Sequence, residues 1–120
     1  MPTVTHHSQC LPYTTRDGST IRELMHPQQH GNHMQSLAEA GVPPGTRTLL
    51  HRHHQSEELY HILEGAGVMT LGEERFEVSG GDTVLIPPGT AHAIENSGKV
   101  PLKLLCCCAP PYAHEDTELL

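Results

Sequence analysis

His51-Arg52-His53 sets two imidazoles two residues apart, the spacing that puts side chains on one face of a strand and lets both rings reach one point in space. Glu58 lies five residues beyond His53, an odd offset that a continuous strand would turn to the opposite face. The chain must therefore bend across His54-Gln55-Ser56-Glu57, where Gln55-Ser56 supply a turn, and then return. Far downstream, Pro87-Pro88-Gly89-Thr90 forms a rigid turn into another strand, with His92 just inside its start. Three neutral imidazoles and one carboxylate form a borderline donor set, suited to divalent iron, manganese, nickel, zinc or copper. Calcium would need more carboxylates, and a structural zinc site usually includes thiolates. Such a set leaves coordination positions open, as catalysis at a metal requires.

Strands must carry these residues. Proline and glycine punctuate the chain from Pro43 to Pro111, and short runs with strand character lie between them. The runs are Thr46 to His51, Glu58 to Leu63, Gly67 to Leu71, Arg75 to Val78, Thr83 to Ile86, Ala91 to Glu95 and Leu102 to Cys108. Short strands joined by tight turns predict an all-β sandwich or barrel with little helix. Only Gly18 to Leu24 and Gln35 to Ala40 have a pattern compatible with either helix or strand.

These residues resemble both motifs of the cupin superfamily. The first, G(X)5HXH(X)4E(X)6G, reads as Gly45, His51, His53, Glu58 and Gly65; the second, G(X)5PXG(X)2H(X)3N, reads as Gly81, Pro87, Gly89, His92 and Asn96. All ten specified positions match, with 15 residues between Gly65 and Gly81. The resemblance implies a cupin double-stranded β-helix, or jelly-roll barrel, holding one divalent transition metal per chain in one mouth. It implies His51, His53, Glu58 and His92 as the ligands, the spacing to Gly65 favouring Glu58 over Glu57. Small cupins also resemble one another in forming homodimers, by packing sheets or exchanging N-terminal strands. Gly65 is expected to supply a positive φ to a hairpin and Asn96 to satisfy backbone groups at a strand end.

Parity assigns the neighbours. Tyr60 and Ile62 share the face of Glu58 and are expected to line the barrel, with the Tyr60 hydroxyl placed to act as a catalytic acid or to bond a ligand. Arg47 and Leu49 share the parity of His51, which puts them in the substrate pocket, Arg47 facing an anionic group or making a rim salt bridge. His54 and His61 have the opposite parity and point away. Cys106 and Cys108 face one side of the last strand and Cys107 the other; buried core filling is the main expectation, a pair of reactive thiols in the pocket the alternative.

The 120 residues make one domain: an N-terminal segment over 1–34 with early strands that covers an edge or forms a dimer, a barrel over 35–112, and an acidic tail with a solvated end over 113–120. Eleven histidines outnumber seven lysines and arginines, and a net charge of -7 repels phosphate backbones and anionic lipid. With no membrane-length apolar run and no signal-like start, the expectation is a cytoplasmic protein whose partners are a small molecule and a second copy of itself, not nucleic acid or membrane. Four cysteines in an unpaired pattern fit a reducing compartment.

Fold alone does not choose the chemistry. The expected function is a metal-dependent enzyme of dioxygenase type on a small organic molecule. Beyond Tyr60 and the histidines few acid or base groups are apparent, and oxygen activation places the work on the metal. The alternatives are a metal-dependent lyase or isomerase of sugar or keto-acid metabolism, and a non-enzymatic binding or sensing module.

Overall fold

Strict alternation of inward and outward side chains builds this protein, and a computed structural model describes it over residues 1–120. The strands are β1 (Tyr13–Thr14), β2 (Thr20–Met25), β3 (Ser36–Val42), β4 (His51–His53), β5 (Glu57–Glu64), β6 (Ala66–Leu71), β7 (Glu74–Ser79), β8 (Thr83–Ile86), β9 (His92–Asn96), β10 (Leu102–Ala109) and β11 (Thr117–Leu119). They form a six-stranded sheet in the order β1-β2-β3-β10-β5-β8 and a five-stranded sheet in the order β11-β4-β9-β6-β7, every pairing antiparallel. The all-β jelly roll expected from the sequence is the fold observed. Gly18 to Leu24 and Gln35 to Ala40 resolve mostly into β2 and β3, because Ile21, Ala40 and Val42 fit the alternating inner face of a sheet. The one α-helical turn, Pro27–His30, links them.

The inner face of the larger sheet is arranged in registered rows. Ile21, Ala40, Leu104 and Ile62 form one row across β2, β3, β10 and β5, deep in the core. The next row reads Glu23, Ala38, Cys106, Tyr60 and Val84, and the one beyond reads Ser36, Cys108, Glu58 and Ile86. Polarity therefore rises toward one end of the barrel, and that end holds the site. Ile62, expected in the substrate pocket, is fully buried in the apolar row and belongs to the core.

Residues 113–120 are not a solvated tail. His114–Asp116 make one 3-10 turn and Thr117–Leu119 pairs with β4, Thr117 opposite His53 and Leu119 opposite His51. The acidic composition that signals solvent is used instead for backbone capping. The Asp116 carboxylate accepts the N–H groups of Gln55 at 2.8 Å and Ser56 at 3.0 Å, fixing the turn expected between His53 and Glu58. At the other end, Thr5, His7 and Cys10 fold back in cis, bonding Leu24, Glu39 and Arg22 of the same sheet.

Gly65 does adopt φ 91°, and a Cβ there would stand 2.9 Å from the Pro101 carbonyl. Asn96 donates to the Val42 and Val100 carbonyls and accepts from Gly98 N–H, tying the end of β9 to two neighbouring segments.

Candidate metal centre

β4 carries His51 and His53 inward, and β9 starts with His92 directly opposite His51. The Pro87-Pro88-Gly89 turn sets that start by donating Gly89 N–H to the His53 carbonyl at 2.7 Å. All three rings are buried, and one donor nitrogen from each lies within 4.8 Å of the others.

The hydrogen bonds behind the rings fix which nitrogen faces the centre. His51 Nδ1 lies 2.8 Å from the Leu49 carbonyl and His92 Nδ1 lies 3.0 Å from the Thr90 carbonyl. A carbonyl only accepts, so both Nδ1 atoms carry hydrogen. His53 Nδ1 lies 3.0 Å from Thr117 Oγ1, which gives its own proton to the Ala113 carbonyl and so accepts from the ring. Each neutral imidazole thus turns an Nε2 lone pair to the centre.

Glu58 Oε1 stands 3.1 Å from His53 Nε2 and 3.3 Å from His92 Nε2. With Nδ1 protonated, these contacts oppose lone pairs unless the rings become imidazolium or a cation lies between them. Glu58 Oε1 and His92 Nε2 are buried without a hydrogen-bond partner. This donor set fits a divalent cation, which relieves all these atoms at once. In the metal-free protein, burial pushes the Glu58 carboxyl up, but His53 and His92, which can donate to it and bear charge only as imidazolium, together outweigh burial and hold it at about 2. Burial, reinforced by charge on His92, lowers the His51 pKa and keeps that ring neutral.

His51 and His53 open into a small cavity of about 40 Å³. Asp17, Glu23, Tyr13, Tyr60, Tyr112, Thr15 and Ser36 line it with His51, His53, Glu58, Cys106, Cys108 and Thr117. Tyr60 stands where parity put it, its ring centroid 5.8 Å from that of His92, and burial and the Glu58 charge hold its hydroxyl protonated.

Residues 38–108 match the family model described as a cupin domain. The chain belongs to the cupin family. This cupin is 61% identical over 116 residues to an uncharacterized protein of Methanocaldococcus jannaschii, an alignment covering 97% of this chain and 93% of that one. It is 33% identical over 84 residues to an oxalate-binding protein of Thermotoga maritima, covering 70% of this chain and 65% of the relative. Among solved structures it resembles a predicted oxalate decarboxylase from Thermotoga maritima with a TM-score of 0.78 and 26% identity, covering 88% and 97% of the two chains.

Not every expected site residue of this cupin arrives there. Arg47 and Leu49 are exposed and do not line the cavity. The strand expected from Thr46 is broken: Thr48 turns inward, its Oγ1 accepting Ile94 N–H at 3.0 Å, which forces Arg47 and Leu49 outward before His51 restores the inward phase. Arg47 is joined to Glu95 by a backbone bridge instead. His54 and His61 point away as parity required, His54 lying 3.3 Å from Glu118 and His61 2.8 Å from Thr83. Cys106 and Cys108 face the cavity, and Cys108 donates its thiol hydrogen to Glu58 Oε2 at 3.2 Å.

Asp17, Glu23 and Thr117 are among the cavity residues that sequence reasoning missed, with Tyr13, Thr15, Ser36 and Tyr112. Asp17-Gly18-Ser19 carries an Asx-turn signature, and Glu23 shares the parity of apolar Ile21, so the turn and the inward face were legible, though not their place beside the histidines. Thr117 sits in a segment whose acidic composition masks its strand.

Proposed function

We propose that this cupin is a divalent-metal-dependent enzyme of the lyase or isomerase type, moving a proton on a small oxygen-bearing molecule. Its ligands are His51, His53, His92 and Glu58. One observation carries the reading: Asp17, outside the ligand set, presents Oδ2 3.7 Å from His51 Nε2 while its Oδ1 is held by the Ser19 N–H and hydroxyl at 3.0 and 2.6 Å. The preference for dioxygenase chemistry rested on a scarcity of acid and base groups. The cavity supplies them.

The bound metal would polarise a carbonyl or hydroxyl oxygen of the substrate. Asp17, oriented by Ser19, accepts a proton from the carbon or hydroxyl beside that oxygen. Tyr60, kept protonated by burial and the neighbouring carboxylate, donates to oxygen as negative charge develops. Glu23 and Tyr13 close the far side. The names of the oxalate-binding relative and of the similar solved structure support a ligand of few atoms, in keeping with the cavity's size.

Elemental analysis of protein purified without chelator tests the metal, and solvent deuterium exchange into small hydroxycarbonyl compounds tests the proton transfer. About one equivalent of metal and exchange abolished by Asp17→Asn are expected. Substrate-dependent oxygen uptake would return the reading to a dioxygenase. Metal below about 0.2 per chain after reconstitution would exclude both enzymatic readings.

A further inference from the structure

The cavity beside the three histidines has two carboxylates outside the ligand set, Asp17 and Glu23, and no lysine or arginine lines it. Glu23 projects inward from β2 and is 9% exposed. Its Oε1 accepts the Tyr13 hydroxyl at 2.8 Å, while Oε2 is buried with no partner in the protein. Burial and the bond to Glu23 raise the Tyr13 pKa, so that phenol remains a donor. Arg16, the neighbouring cation, bonds the Thr117 carbonyl through Nη1 and does not line the cavity.

A buried carboxylate oxygen without a donor is disfavoured, and a ligand that brings one relieves it. An anion does the reverse, because it enters a space already holding Asp17, Glu23 and Glu58. We infer that the cavity selects a small uncharged ligand bearing hydroxyl donors, one hydroxyl donating to Asp17 Oδ2 and another to Glu23 Oε2, and discriminates against dianions of the same size. This specificity deepens the metal-dependent reading and rests on it, and it sets this chain apart from its oxalate-binding relative.

Dihydroxyacetone and oxalate have equal heavy-atom counts and opposite character, so their relative affinity reads the selection directly. Calorimetric titration of the full chain, zinc-loaded and chelator-stripped, with metal content checked afterwards, compares them in wild type, Glu23→Gln and Asp17→Asn. Removing either charge should lower the ratio of dihydroxyacetone to oxalate affinity about tenfold, with oxalate binding tightening. The Asp17→Asn variant keeps an oxygen for the Ser19 bonds and provides the second reading if Glu23→Gln misfolds. An unchanged ratio in both variants overturns the inference, as does wild type binding ethanolamine more tightly than dihydroxyacetone, which would make the ligand a cation. A ratio that falls while zinc fails to bind leaves the selection standing and overturns the metal-dependent reading alone.

Discussion

Thr117 Oγ1 accepts His53 Nδ1–H at 3.0 Å because its own hydroxyl proton is committed to the Ala113 carbonyl at 3.0 Å. The C-terminal strand therefore decides which nitrogen of His53, more than sixty residues away in sequence, faces the three-histidine centre. Outer bonds of this kind orient metal-ligating imidazoles and raise their basicity. Thr117→Val should weaken zinc affinity about 10- to 100-fold in a chelator competition, while Thr117→Ser stays close to wild type. Equal affinities for wild type and Thr117→Val would remove Thr117 from the account.

His53→Ala removes one imidazole without touching the apolar row of Ile21, Ala40, Leu104 and Ile62. Most metal affinity should be lost while the far-ultraviolet circular dichroism keeps its β signature. Collapse of that spectrum would mean that the barrel depends on the site for folding.

Acid should destabilise the metal-free protein. His51 has its pKa lowered by burial, so the unfolded chain takes up its proton first and stability begins to fall as pH drops below 6.5. Glu58 acts in the same sense further down: its stabilisation is present above 4.5, the ordinary carboxyl value, and is lost as pH falls toward about 2. The melting temperature, followed by calorimetry because the chain lacks tryptophan, should fall monotonically from pH 7 to pH 4. A maximum near pH 5 would contradict the sign assigned to His51.

The thiols should differ in reactivity. Burial pushes the Cys106 and Cys108 thiols far up, with the Glu58 carboxylate adding to it, so neither forms thiolate at neutral pH. Native alkylation should label Cys10 first and leave Cys106 and Cys108 at least about tenfold slower. Rapid labelling of both would turn the cavity pair into reactive groups.

We propose a homodimer through the outer face of the larger sheet. Leu37, Cys107, Leu59 and Leu85 stand in register across β3, β10, β5 and β8, with Leu59 41% and Leu85 53% exposed. Because residues 5–10 bond their own sheet, sedimentation should show a dimer that survives removal of residues 1–12 and dissociates in Leu59→Lys. A monomeric full chain would end the proposal.

The local signals determined a great deal. Alternation around Glu58, Tyr60 and Ile62 fixed their inward face, the His51-Arg52-His53 spacing fixed a pair of imidazoles, and the Pro87-Pro88-Gly89 turn fixed the approach of His92, because each depends on backbone geometry within a few residues. Phase failed at Thr48, where a side-chain bond to Ile94 N–H breaks the strand and turns Arg47 and Leu49 out. Parity also gave direction without depth, so Ile62 was placed on the right face but in the wrong row. Only the tertiary structure could bring Asp17 and Glu23 from the N-terminal segment, and Thr117 from the C-terminal strand, around one cavity, since nothing local records which distant strands become neighbours. Those three residues set the tautomer of His53 and the charge of the pocket.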